Sequence, residues 1–153
     1  MPQNILKIVK SDFPDITFLE GDVFAWSPSD STIIYQKINS SKRILRLLHE
    51  IAHAQLKHRS YKKDVELIKM ENEAWQYSVN ILAPRYQIKA DMSDEQIQDD
   101  LDSYRDWLHK RSVCPRCSAV GIQSDKQKYR CLNCQAVWRV NEARNCQLKR
   151  YKK

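Results

Sequence analysis

The stretch LLHEIAH, residues 47–53, sets His49 and His53 four residues apart, with Glu50 directly after the first histidine. Residues four apart on a helix share a face, so both imidazoles can reach one ion at about 2.0–2.1 Å. A glutamate one helical step round is placed to take a proton from a water at that ion and return it to a leaving amine. The chemistry implied is peptide hydrolysis by a zinc-activated water whose pKa falls toward about 7. Two histidines are too few, because a catalytic zinc normally has three protein ligands and an open position. A third ligand must come from elsewhere in the chain.

A second constellation lies near the other end. CPRC and CLNC place Cys114, Cys117, Cys131 and Cys134 in a C-x2-C-x13-C-x2-C pattern. Two such pairs can close a tetrahedral four-cysteine zinc site, which is structural because it leaves no open position. The zinc would substitute for a core this short segment cannot build, with Tyr129, Val137 and Trp138 packing on the ribbon strands. Disulfides are the rival reading. Cys146 is the unpaired fifth cysteine, read as a plain thiol.

The elements that must position the histidines can be read from periodicity. NSSKRILRLLHEIAHAQLKH is helical in pattern, with Ser40 or Ser41 as N-cap. At about 100° per residue, Ile44, Leu45, Leu48, Ile51 and Ala52 gather on one side. Arg46, His49, Glu50, His53 and Lys57 gather on the other. A second helix is predicted from Lys62 to Leu82, ending at Pro84.

On that helix Leu67, Ala74, Ser78, Ile81 and Leu82 form an apolar or small face, and Glu71 falls near its middle. Glu73 points away, among Glu66, Lys69, Gln76 and Asn80. An ionised carboxylate on an apolar face costs several kcal/mol unless paired or bound to metal. Glu71 therefore needs a partner: zinc, Arg43, Arg46 or a backbone donor. Glu73 is the reserve ligand.

A third helix is predicted after Ser93, whose spacing to Gln96 suits a capping box, with Ile97, Leu101, Tyr104 and Leu108 as its stripe. Before these helices, a short helix over Pro2–Lys10 and extended segments at Ile16–Glu20, Asp22–Trp26 and Ser31–Gln36 predict a small, mostly antiparallel sheet. The fold class expected is α+β, with the sheet packed on helices.

The 153 residues suffice for one compact domain and a small appendage. Two domains are expected, over residues 1–110 and 111–153. Residues 1–110 carry 15 Lys+Arg against 17 Asp+Glu, a net of −2; residues 111–153 carry 11 against 2, a net of +9. The basic segment suggests contact with nucleic acid or an acidic protein surface. Gln123, Lys126, Lys128, Arg130 and Arg139 are its candidate phosphate contacts. No apolar run approaches the roughly 18 residues of a membrane span, and the first residues lack a secretory pattern. A soluble cytoplasmic protein with no membrane partner is expected.

HEIAH followed some twenty residues later by ENEAWQYSVNILAP resembles the ImmA/IrrE-type metallopeptidases, whose pattern is HExxH and then a helix reading E-x-x-A, small residues, L-L-x-P. The match covers roughly residues 20–86 and runs through Glu71, Ala74, Ser78, Ile81, Leu82 and Pro84. It implies a minimal zincin-like core and assigns the third zinc ligand to Glu71, with Glu50 as general base. It departs at Trp75, where that family usually has Asn supporting a histidine ligand.

The resemblance further implies that STIIYQ is an edge strand pairing with extended substrate, and that the substrate is a protein such as a DNA-binding repressor. His58, Tyr61 and Tyr86 are the candidate oxyanion donors. An HExxH core followed by a ribbon is also similar to SprT-like proteases acting on DNA-bound proteins, which use a third histidine; His58 is the nearest one here. A non-catalytic nucleic-acid- or protein-binding adaptor on the same scaffold is the reading from another class. Two zinc ions are expected, one catalytic and one structural.

Overall fold

The computed structural model describes residues 2–90, 94–141 and 150–152. Ser93, of the predicted capping box, and Cys146 lie outside the described residues. The chain is α+β: α1 (Pro2–Asp12), β1 (Thr17–Glu20), β2 (Ala25–Ser27), β3 (Thr32–Tyr35), α2 (Ser41–Gln55), α3 (Asp64–Tyr77), a π-helical turn (Ser78–Leu82), α4 (Ala83–Arg85), α5 (Asp94–Ser112), then β4 (Ile122–Asp125), β5 (Lys128–Arg130), β6 (Val137–Val140) and β7 (Arg150–Lys152). Among the described residues no helix is long and apolar enough to cross a membrane.

Two compact units form. One comprises Met1–Arg59 and Met70–Ile97, the other Ser60–Lys69 and Gln98–Lys153. The second unit takes in the start of α3 and most of α5. A buried network holds those pieces together. Asp64 N–H donates to Gln123 Oε1 at 2.7 Å, and Gln123 Nε2 returns a bond to Asp64 Oδ1 at 3.1 Å. Tyr129 Oη donates to Asp64 Oδ2, and the buried Arg111 guanidinium lies 3.9 Å from Asp64 Oδ1. Burial raises the Asp64 pKa, opposed by Arg111 and Gln123.

In the first unit β3 lies between β1 and β2, parallel to β1 and antiparallel to β2. The predicted edge strand is thus the central one, with its backbone groups paired on both sides. Its inward residues Ile33 and Tyr35 join Ile44, Leu45, Leu47, Leu48, Ile51 and Ala52 of α2 in one core. Each such fully buried large aliphatic side chain contributes about 2 kcal/mol.

Helix α2 starts where Ser40 accepts the Arg43 N–H at 3.3 Å. It ends in a Schellman arrangement: Lys57 takes a left-handed φ of 57°, and the His58 N–H bonds back to His53 C=O at 2.9 Å. The second long helix runs past its expected end through Pro84, because the π turn changes the phase there. A π turn takes more residues than an α turn, which rotates Ile81 out to 52% exposure while Leu82 and Ala83 stay buried.

In the second unit β4, β5, β6 and β7 form an antiparallel sheet in that order. Cys114, Tyr129, Cys131, Trp138 and Val140 are its core. Val137, predicted to pack there, sits on the opposite face by strand alternation, and Val140 takes its place. Gly121 lies so close to Trp138 that a Cβ would fall 2.4 Å from its ring.

Candidate metal centres

His49 and His53 project from α2 toward Glu71 of α3, and the three ligand atoms converge. His49 Nε2 lies 2.8 Å from Glu71 Oε2, His53 Nε2 lies 3.3 Å from Glu71 Oε1, and the two Nε2 atoms are 3.1 Å apart. Donors about 2.0–2.1 Å from one tetrahedral ion stand about 3.3 Å from each other. The spacing therefore fits a shared ion. All three residues are buried, and together they form a group able to hold a metal ion.

Hydrogen bonding alone leaves a conflict: imidazoles protonated at Nε2 can each donate to one Glu71 oxygen, but their two N–H groups then face each other at 3.1 Å, which a shared ion would relieve. Burial would raise the Glu71 pKa, but the bonds from His49 and His53 hold it well below the usual carboxylate range. Burial likewise lowers His53, and the hydrogen bond and charge of Glu71 outweigh it. The arginines weighed as partners for Glu71 are engaged elsewhere or exposed: Arg43 donates to the Lys37 carbonyl at 2.8 Å, and Arg46 is exposed.

Glu50 stands beside these ligands, partly exposed. Desolvation is the main influence on it and raises its pKa, against the nearby His49 and His53. Trp75, where the resembled family has Asn, lies against the His49 ring with centroids 4.1 Å apart and planes inclined by 33°. His49 Nδ1 is buried and finds no hydrogen-bond partner among the described residues. The Trp75 ring packs on the imidazole without satisfying that nitrogen.

Glu73 and His58 lie behind the ligands rather than among them. His53 Nδ1 is 2.9 Å from His58 Nδ1, and His58 Nε2 is 3.1 Å from Glu73 Oε2. The spacing of these residues in the sequence carries no sign of this chain, although His58 follows His53 by a single Schellman turn. Tyr86 donates to Asp12 at 2.8 Å, and Tyr61 belongs to the second unit with Lys126 Nζ 5.6 Å from its ring centre.

The four cysteines converge in the second unit. Cys114 and Cys134 Sγ are 3.6 Å apart, and Cys117 and Cys131 Sγ 3.5 Å. Sulfurs about 2.3 Å from one ion stand about 3.8 Å apart, whereas a disulfide needs about 2.05 Å. The group is thus suited to a metal ion and contains no disulfide.

Two matching knuckles create it. Cys114 N–H bonds to Ala119 C=O and Cys131 N–H to Ala136 C=O, both at 2.8 Å. Ser118 and Gln135, each directly after the second cysteine of a pair, take left-handed φ values of 64° and 63°. Asn133 Nδ2 reaches Cys117 Sγ at 3.5 Å and pulls that thiol down to about 6, toward the thiolate a metal needs.

Of the predicted phosphate contacts, Arg130 and Arg139 are exposed on the outer sheet face and Lys128 is partly so, directly opposite Arg139. With Ile122, Ser124 and Val137, Lys128 and Arg130 line a shallow hollow of about 680 Å³. Gln123 is turned inward and committed to Asp64, and Lys126 lies over Tyr61. Compared with models of known protein families, with curated proteins and with solved structures, the chain returns no match.

Proposed function

We propose that the protein is a zinc-dependent endopeptidase of the zincin type, as its resemblance to ImmA/IrrE-type metallopeptidases implies. The observation that carries this is the buried convergence of His49 Nε2, His53 Nε2 and Glu71 with Glu50 alongside. Zinc bound there supplies Lewis-acid polarisation of a carbonyl and a water of lowered pKa. Glu50 takes a proton from the attacking water and delivers it to the amine nitrogen as the C–N bond breaks.

An extended substrate needs a free strand edge, and β3 has none. The outer edge of β2 is the better candidate: β2 is an edge strand, and its Trp26 Nε1 donates to the His58 carbonyl at 3.3 Å, beside the ligand helix. The four-cysteine group is a structural zinc ribbon, and its basic face recruits the enzyme to DNA, where a repressor or other DNA-bound protein is the substrate. The His58 position, behind His53, favours Glu71 over the third-histidine arrangement of SprT-like proteases.

The test is metal analysis beside proteolysis. The full chain should carry about two zinc ions and Glu71→Ala about one, while Glu50→Gln should keep both and lose cleavage of DNA-binding proteins by about 100-fold or more. Proteolysis that survives Glu50→Gln rules the mechanism out. An inactive wild type with full zinc content would favour the adaptor reading instead.

A further inference from the structure

We propose that Glu73 and His58 form a positioning chain that fixes the tautomer and orientation of His53, one of the metal ligands. The inference rests on the reading of His49, His53 and Glu71 as a zinc site.

Proton placement follows from the geometry in one direction only. When an ion is held between His53 Nε2, His49 Nε2 and Glu71 Oε1, His53 Nε2 offers it a lone pair and carries no proton. A neutral His53 then carries its proton on Nδ1, which is 2.9 Å from His58 Nδ1. Only one hydrogen fits between two ring nitrogens, so His58 Nδ1 accepts it. Neutral His58 must then carry its own proton on Nε2, and Glu73 Oε2 accepts that proton at 3.1 Å. Every donor meets an acceptor, and the polarity runs from the Glu73 carboxylate to the metal face of His53. Placing either proton on the other nitrogen breaks a bond in the chain.

His58 is held for this task. Its N–H bonds to His53 C=O at 2.9 Å, its C=O accepts from Trp26 Nε1 at 3.3 Å, and it is buried at 9% exposure. The left-handed Lys57 turns the chain back so that His58 lies against the histidine five residues before it. His49 has no equivalent partner at Nδ1 among the described residues. The two histidine ligands are thus supported differently, one by ring packing against Trp75 and one by hydrogen bonds. Partners of this kind set the basicity and aim of a ligand, and their loss costs about 10- to 100-fold in metal affinity.

The experiment measures zinc affinity of the full chain by competition with a chromophoric chelator. His58→Leu should weaken one of two zinc ions by about 10- to 100-fold and leave the cysteine-bound zinc untouched. Glu73→Ala, at a half-exposed side chain, should weaken the same ion to a smaller extent without disturbing the fold. His58→Gln, whose carbonyl can accept from His53 Nδ1–H, should restore most of the affinity. Imidazole 15N spectra of the zinc-loaded wild type should show the His53 proton on Nδ1, in a hydrogen bond that His58→Leu abolishes.

Undiminished zinc affinity in His58→Leu, or a loss in His58→Gln as large as in His58→Leu, overturns the chain while two bound zinc ions leave the site reading intact. A wild type that binds only the cysteine-held zinc overturns both.

Discussion

At the scale of single residues, the candidate centre depends on how two similar histidines are held. Trp75 is 4% exposed and packs on the His49 ring. Removing it leaves a cavity beside His49, whose Nδ1 has no hydrogen bond among the described residues. Trp75→Ala should therefore destabilise the protein by about 3–5 kcal/mol and also lower zinc affinity. Trp75→Phe, which keeps a ring, should cost less on both counts. Urea unfolding and chelator competition on the same samples check this, and a cost below about 1 kcal/mol would show that the ring is not packed there. Helical phase alone separated Glu71 from Glu73, because one turn of periodicity determines which of two nearby carboxylates meets the apolar face. It could not reveal what Glu73 does, since its partner His58 comes from another element.

At the scale of elements, two backbone irregularities depart from regular helix. The π turn at Ser78–Leu82 rotates Ile81 outward and carries the helix past Pro84. Sequence periodicity assumes a constant 3.6 residues per turn, so neither effect was legible. The second irregularity is Lys57, whose left-handed conformation returns His58 to His53. A residue with a Cβ is penalised there by about 1–2 kcal/mol. Glycine relieves the clash but gains entropy when unfolded, so Lys57→Gly should raise stability by up to about 1 kcal/mol. A higher urea midpoint at constant slope would show it. Lys57→Val should lower the midpoint, because a β-branched side chain tolerates that conformation least.

At the scale of the whole molecule, charge is divided along the chain, and the second unit sets Lys128, Arg130 and Arg139 on one sheet face. Lys128 stands directly opposite Arg139 across β5 and β6, with Arg130 two residues along. Like charges in that position repel and weaken a sheet, and a bound polyanion would relieve them. Double-stranded DNA should bind the full chain without strong sequence preference. Arg130→Glu with Arg139→Glu should weaken binding across sequences and reduce the slope of log affinity against log salt by about 2. Titrations at several salt concentrations measure this, and an unchanged slope would move the contact elsewhere. Gln123 and Lys126 should contribute little, being held by Asp64 and Tyr61.

Local repeat and short covalent spacing were enough to read the shared face of His49 and His53, the anomaly of Glu71, and the pairing of cysteines into one group. Those features are set within one helix or by two three-residue steps. Tertiary structure alone decided which strand is central, which face Val137 takes, and which polar residues are used internally. Asp64 meets Tyr129 across 65 residues and His58 meets Glu73 across 15. Such partners are selected by how the elements pack, and no period in the chain announces them.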